Sequence, residues 1–388
     1  MPTTFHSPGF IHRLRRFRRF SLHNLPNGWK MIFPLCIFLL AACQPAAPTA
    51  SPTPLPPTPR PTRTPAPSVT PIPPPTRAPT WTPEPATSPT PELFFYRYTV
   101  NALRMRSYGG GKIELTQKTA ETPLYNQYIF RYPSDGLTIY GYANIPRGEG
   151  PFSVIIMLHG AADPASYSIF EQDTGYADLL AQRGYIVLHP NYRNFAPSDT
   201  GENLFLAGYA IDVLNLVALV KSEAGQTWSN LRTARPGKIG LWAFSMGGAV
   251  AWRVLVVSPD IRAAFLYAPM SADDLQNALF FRNDPEAQTT LAMPAFVFLS
   301  TSPNYFYQNI HLPIDIHHGT ADSVVPVEWS RQACEQLKSL GKTVNCYFYE
   351  GAEHSFSGKN GQKLETRMNN FFDKYLKFAP TPTPTSTP

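Results

Sequence analysis

The chain has 388 residues, a formal net charge of +6 and 42 prolines. More than half of those prolines lie in two Pro/Thr/Ser/Ala tracts, 45–92 and 379–388, which hold too little apolar material to build a core and so exclude two full domains. The charge can be assigned to Arg13, Arg15, Arg16, Arg18, Arg19 and Lys30, in a stretch without acidic residues ahead of an expected cleavage site; the remainder is near neutral, which excludes the electrostatic footprint of a nucleic-acid binder.

After the basic segment comes an apolar run from Met31 to Ala42, roughly 12 residues and well short of the ~20 that span a bilayer as a helix. Residues 1–42 therefore read as a signal peptide. The run ends in Leu40-Ala41-Ala42-Cys43. This ending resembles the bacterial lipobox, in which the cysteine thiol receives a diacylglycerol before the signal is cut. That resemblance implies a lipid anchor on Cys43 and an extracytoplasmic location at the bacterial cell envelope; an ordinary secretory signal with small residues ahead of a cysteine is the alternative. Residues 43–92 would follow as a Pro/Thr-rich linker with extended polyproline character, and 379–388 as a similar tail.

Between the tracts, residues 93–378 suffice for one sizeable domain. Apolar, β-branched runs alternate with longer amphipathic stretches, which predicts an α/β class: a mostly parallel twisted sheet with helices on both faces. Tyr125 to Ile145, split by Pro133-Ser134-Asp135-Gly136, predicts an N-terminal antiparallel hairpin. Core strands are expected over Ser153–Leu158, Tyr185–Leu188, Lys238–Ala243, Ala263–Tyr267, Pro313–His317 and Val344–Tyr349. The clearest helices are expected over about Asn203–Ser222, Gly247–Val257, Glu328–Leu340 and Gln362–Lys377. The stretch from Ser271 to Asn309 is less regular; its aromatics suit either packing or a lid. Cys334, in an expected helix, and Cys346, in the strand after it, are placed to form a disulfide in an oxidising compartment.

The strongest chemical signal is Gly240-Leu241-Trp242-Ala243-Phe244-Ser245-Met246-Gly247-Gly248, a strand, a sharp turn at serine and then a helix. Such a turn strains the serine backbone and needs small residues two positions to either side; Ala243 and Gly247 meet that need, with alanine where glycine is usual. Downstream lie His318-Gly319-Thr320-Ala321-Asp322 and Gly351-Ala352-Glu353-His354, each just past an expected strand. This Ser, Asp, His order suits a nucleophile Ser245, a base His354 and an orienting carboxylate Asp322. Glu350 and Glu353 are weaker candidates for the acid. The backbone N–H groups of Met246 and of Ala161, in the His159-Gly160-Ala161-Ala162 loop, are the expected oxyanion donors. His159 is read as a support for that loop. His317 and His318 are read as too near Asp322 along the chain to partner it, and Asp315 as half of a local ion pair with His317. This chemistry calls for no cofactor and no metal.

With these motifs assembled, residues 125–376 resemble the catalytic domain of the prolyl oligopeptidase family and the neighbouring dienelactone hydrolases. Tyr132-Pro133-Ser134-Asp135-Gly136-Leu137, Met157-Leu158-His159-Gly160, the serine turn, the stretch from Ser302-Pro303 to Ile310, and the Asp322 and His354 segments carry the likeness. It implies an α/β-hydrolase fold and a serine hydrolase acting on a small-molecule ester or a short peptide substrate. Family members that cleave oligopeptides usually carry a β-propeller, for which this sequence has no room, so ester cleavage is the expectation, with small-peptide hydrolysis the alternative. A non-catalytic surface lipoprotein scaffold on the same fold is the second alternative.

Overall fold

A computed structural model describes residues 94–378. The expected signal peptide, Cys43, the 43–92 linker, residue 93 and the 379–388 tail lie outside the described residues.

Among the described residues, nine strands, numbered in chain order with the ranges given below, form one sheet in the order β1-β2-β3-β5-β4-β6-β7-β8-β9. The first three are β1 (Glu114–Glu121), β2 (Tyr125–Ser134) and β3 (Leu137–Pro146), joined antiparallel. The expected hairpin is β2 and β3: Asp135 and Gly136 both take positive φ, 53° and 83°, so a two-residue turn matches the twist of the flanking strands. β1 had no counterpart among the expected strands. Its Glu-Leu-Thr-Gln-Lys-Thr-Ala-Glu sequence is polar because it is an edge strand that buries neither face.

From β5 (Ile186–Pro190) onward the sheet is parallel through β4 (Phe152–Leu158), β6 (Ala234–Phe244), β7 (Ile261–Tyr267), β8 (Ile314–Gly319) and β9 (Val344–Tyr349). The central strands are buried on both faces, so they read as continuous apolar runs. Alternation along each strand divides its side chains between two cores. Val154, Ile156, Leu158, Leu241 and Ala264 face one layer, while Ile155, Met157, Trp242 and Phe265 face the other.

The first layer holds helices α1 (Val100–Met105), α3 (Ala207–Glu223), α4 (Met246–Val257) and α8 (Val327–Ser339); the second holds α2 (Thr174–Gln182) and α9 (Gly358–Phe372). The Leu204–Glu223 segment that contains α3 has the length and hydropathy of a membrane span, but 78% of its 18-residue apolar window is buried within the fold, which marks a core helix. Helix α9 continues as one wide turn over Asp373–Lys377, so the long helix expected to Lys377 ends in changed geometry.

The irregular stretch after β7 folds as three short helices, α5 (Asp274–Phe280), α6 (Pro285–Leu291) and α7 (Ala295–Thr301), then a 3₁₀ segment, Pro303–Asn309. Its aromatics mainly pack: Phe280 meets Trp329 edge-on at 5.2 Å, and buried Tyr307 lies 5.2 Å from Trp252. Arg253 of α4 anchors this cap with two 2.8 Å hydrogen bonds to Asp274 and further bonds to the Phe205 and Thr301 carbonyls. Cys334 of α8 and Cys346 of β9 are joined by a disulfide, with their Cα atoms 6.4 Å apart.

Candidate active site

Because β4, β6, β8 and β9 are mutually parallel, the loops that follow them emerge at one edge of the sheet. The chain leaves β4 for β5 on one side and then returns to β6 on the other, and such a reversal opens a crevice at the carboxyl edge. His159, Ser245, Asp322 and His354 all follow the strands that meet there.

Ser245 sits between β6 and α4 with φ 55° and ψ −118°, a backbone state that costs a non-glycine residue about 1–3 kcal/mol. Surrounding bonds hold it. The Ser245 N–H donates to the Tyr267 carbonyl at 3.0 Å, and its own carbonyl accepts from Gly248 and Met270, both at 2.9 Å. Gly247 is required by close approach: a Cβ there would lie 2.2 Å from the Leu158 carbonyl oxygen. Ala243, at the other flank, is fully buried and accommodated.

Asp322 is reached through a similar device. A Cβ on Gly319 would lie 2.2 Å from the Ala352 carbonyl oxygen, so glycine lets the loop after β9 lie directly on the turn after β8. Thr320 N–H and Ala321 N–H then donate to Tyr349 and Ala352, at 3.0 and 2.9 Å. Phe356 N–H donates to the Tyr267 hydroxyl, fixing the far side of that loop.

The result is a hydrogen-bonded path. His354 Nδ1 lies 2.7 Å from Asp322 Oδ2 and His354 Nε2 lies 3.0 Å from Ser245 Oγ. All three side chains are nearly sealed from solvent, and Phe244 lies 4.8 Å from the imidazole. Burial opposes the charge on Asp322, yet hydrogen bonds from His318, His354 and the Val325 N–H outweigh it and hold the carboxyl well below the usual carboxylate range. An ionised Asp322 accepts from Nδ1, which leaves Nε2 free to take the serine proton.

Met246 opens α4, where first-turn N–H groups lack an intrahelical acceptor. The 159–162 loop packs onto the serine: a Cβ on Gly160 would lie 3.3 Å from Ser245 Cβ. Ala161 is the next residue of that loop. His159 supports this loop, with ring nitrogens 2.8 Å from the Gly160 carbonyl and 2.9 Å from that of Asn191, and stacks on Tyr167 and Tyr192. Burial, aided by nearby His189, pushes its pKa down to about 3, so it is neutral. Glu350 and Glu353 are exposed and take no part in the hydrogen-bonded path.

Two expectations need correction. Closeness in sequence argues against His318 as a partner of Asp322, yet its Nε2 lies 3.1 Å from Asp322 Oδ2, because the turn at 319–322 folds the carboxylate back over the end of β8. His317 and Asp315 do approach, Nε2 to Oδ2 at 3.8 Å, but burial lowers the His317 pKa to about 4 despite the opposing carboxylate. The ring is neutral at pH 7, so this is no ion pair; Asn345 donates to Asp315 at 2.8 Å instead, and Tyr349 Oη lies 2.9 Å from His317 Nδ1.

This sheet, with its strained serine turn and converging loops, defines an α/β hydrolase, the superfamily of esterases and serine-type peptidases. Residues 139–378, more than half of the chain, match the model of the dienelactone hydrolase family, and the chain belongs to that family. It is 22% identical over 266 residues to the uncharacterized peptidase YuxL of Bacillus subtilis (strain 168), an alignment covering 62% of this chain and 38% of that protein. Among solved structures, acylaminoacyl peptidase of Pyrococcus horikoshii is similar with a TM-score of 0.55 and 20% identity, over 68% of this chain and 44% of that one. Acetyl xylan esterase 1 from Thermoanaerobacterium sp. JW/SL YS485 is similar with a TM-score of 0.53 and 17% identity, over 74% of this chain and 95% of that one. The chain thus spans less than half the length of the two peptidases. At such identities the structural likenesses speak for the fold.

Proposed function

We propose that this hydrolase is an extracytoplasmic enzyme that cleaves carboxylic esters of small molecules through an acyl-enzyme, held to a bacterial envelope by a lipid on Cys43. The observation that carries the chemistry is the continuous path Asp322–His354–Ser245, at 2.7 and 3.0 Å. Ser245 Oγ attacks the substrate carbonyl carbon while His354 Nε2 takes its proton. The carbonyl oxygen gains negative charge and is held by the N–H groups of Ala161 and of Met246, the latter at the start of α4, where the helix dipole also favours an anion. Collapse of the tetrahedral species breaks the ester C–O bond, and the departing alkoxide leaves with the proton from His354. Water then enters, gives a proton to His354 and attacks the acyl carbon; as the acyl C–O bond to Ser245 breaks, His354 returns that proton to Ser245 Oγ and the acid is released.

Hydrolysis of short peptides is the second reading, favoured by the peptidase YuxL among the relatives. An ester is the easier substrate, because its alkoxide leaves more readily than an amine and asks less of substrate positioning. One panel decides between them: aryl esters of graded acyl length beside aminoacyl anilides, with a fluorophosphonate probe for the nucleophile. Wild-type protein should be labelled and should cleave short acyl esters, and Ser245→Ala should lose both. Folded wild-type protein that resists the probe would mean a binding scaffold, and faster turnover of anilides would favour the peptidase. For the anchor, Cys43→Ser should release the protein from membranes; unchanged retention would refute a lipid at that thiol.

A further inference from the structure

We propose that His318 is a positioning residue for this site, donating its Nε2–H to the same Asp322 oxygen that receives His354, with Ser330 of α8 seated on its other nitrogen. The inference rests on the hydrolase reading above, and it adds a residue to the path rather than another substrate.

His318 is fully buried at the end of β8. Its Nε2 lies 3.1 Å from Asp322 Oδ2 and 3.1 Å from the Val325 carbonyl oxygen. Neither oxygen can donate, since Asp322 is held ionised, so the hydrogen must sit on Nε2. Nδ1, 2.7 Å from Ser330 Oγ, then accepts the serine hydroxyl in the neutral ring. A hydroxyl fixed on one ring nitrogen selects the tautomer that presents an N–H at the other.

Asp322 therefore has every lone-pair direction engaged. Oδ1 accepts the Val324 and Val325 N–H groups, both at 2.9 Å, and Oδ2 accepts His354 and His318. This set fixes the carboxylate plane and divides the charge on Oδ2 between two rings. The titratable groups that face it are His318 on β8, His354 on the loop after β9 and Tyr267 on β7. Burial raises the Tyr267 pKa, so its phenol stays protonated. From α8 comes Ser330. Helix α8 is in turn tied to β9 by the disulfide at Cys334, one turn beyond Ser330, so the serine that seats His318 is itself held by a covalent link.

The test replaces His318 with Phe, which fills the ring's space without a donor, and with Gln, whose amide nitrogen can reach the Nε2 position. In His318→Phe, kcat/KM for an aryl ester should fall ~10-fold to ~100-fold, as for other orienting partners of reactive groups. The acid limb of its pH profile should also move up by at least ~0.5 unit, because an undivided Oδ2 charge favours the His354 imidazolium. His318→Gln should return the limb to its wild-type position with most of the rate. A folded Phe variant with a wild-type limb, or a Gln variant that rescues neither, overturns the proposal. Should the Phe variant not fold, ¹⁵N spectra of the wild-type ring decide: Nε2 protonated across the active pH range upholds it, and Nε2 unprotonated ends it. Failure of wild-type labelling by a fluorophosphonate would instead sink the hydrolase reading, and the ring spectrum would stand unaffected.

Discussion

At the scale of single residues, glycines and hydrogen-bond donors set this site as much as the reactive side chains do. Gly319 illustrates the point, because its missing side chain is what lets the His354 loop lie on the Asp322 turn. Gly319→Ala places a methyl 2.2 Å from a carbonyl oxygen, so backbone must move, and the displaced loop carries His354, the proposed base. Misplacement of a catalytic group by about 1 Å can cost ~100-fold, and overpacking of this kind typically costs about 1–3 kcal/mol. Steady-state kinetics on an aryl ester should therefore show kcat/KM reduced about that much, with a lowered melting temperature. A variant that is less stable but fully active would mean that the loop absorbs the strain away from His354. Of the site itself, Ser245, Asp322 and His354 are legible in sequence because each lies one short turn past an apolar strand. His318 is not, because spacing alone makes it look too near Asp322 for contact, and the reversal at residues 319–322 that brings the two together leaves no mark in the spacing.

At the scale of elements, β4, β5, β7 and the second half of β6 are readable for a physical reason: they are buried on both faces, so near-continuous apolar runs mark them, whereas β8 is as buried but carries Asp315, His317 and His318. The same reasoning fails at the periphery. Edge strand β1 carries no apolar face, and α2, at nine residues, is too short for its periodicity to stand out. The cap helices α5, α6 and α7, seven residues each, are set by tertiary contacts that sequence does not announce. Arg253 and Asp274 are the main such contact, a buried pair bridging α4 to α5 with two 2.8 Å bonds. Arg253→Met should destabilise the fold by about 3–5 kcal/mol in urea titration, since it leaves Asp274 buried without its partner. Arg253→Met with Asp274→Leu should recover most of that loss, because the pair's own desolvation cost disappears with it. A double variant as unstable as the single would place the cost in the lost bonds to Phe205 and Thr301 instead.

Across the whole molecule, two imidazoles buried on opposite faces of the sheet make the fold sensitive to acid. His159 begins the 159–162 loop, and His317 lies between β7 and β9, stacked 4.2 Å from Phe265 and 4.8 Å from Tyr347. Burial lowers their pKa values to about 3 and about 4, while an unfolded chain restores ~6.5. Below ~6.5 the unfolded state thus binds protons that the folded state refuses. The stabilisation is complete above that pH and shrinks as pH falls, with a limiting slope of ~1.4 kcal/mol per unit for each histidine. Asp322 adds to the same trend lower down: its depressed folded pKa gives stability that is present above ~3.9 and lost beneath it. Urea unfolding at pH 7.5, 6.5, 5.5 and 4.5 should show stability level at first and then falling. His317→Gln should be weaker at pH 7.5, through loss of the stacking and of the Tyr349 contact, but should fall less steeply below 6.5. A wild-type curve that stays flat from 7.5 to 4.5 would mean that these rings take up protons within the fold, with Asp315 supplying the counter-charge to His317 that its 3.8 Å separation permits.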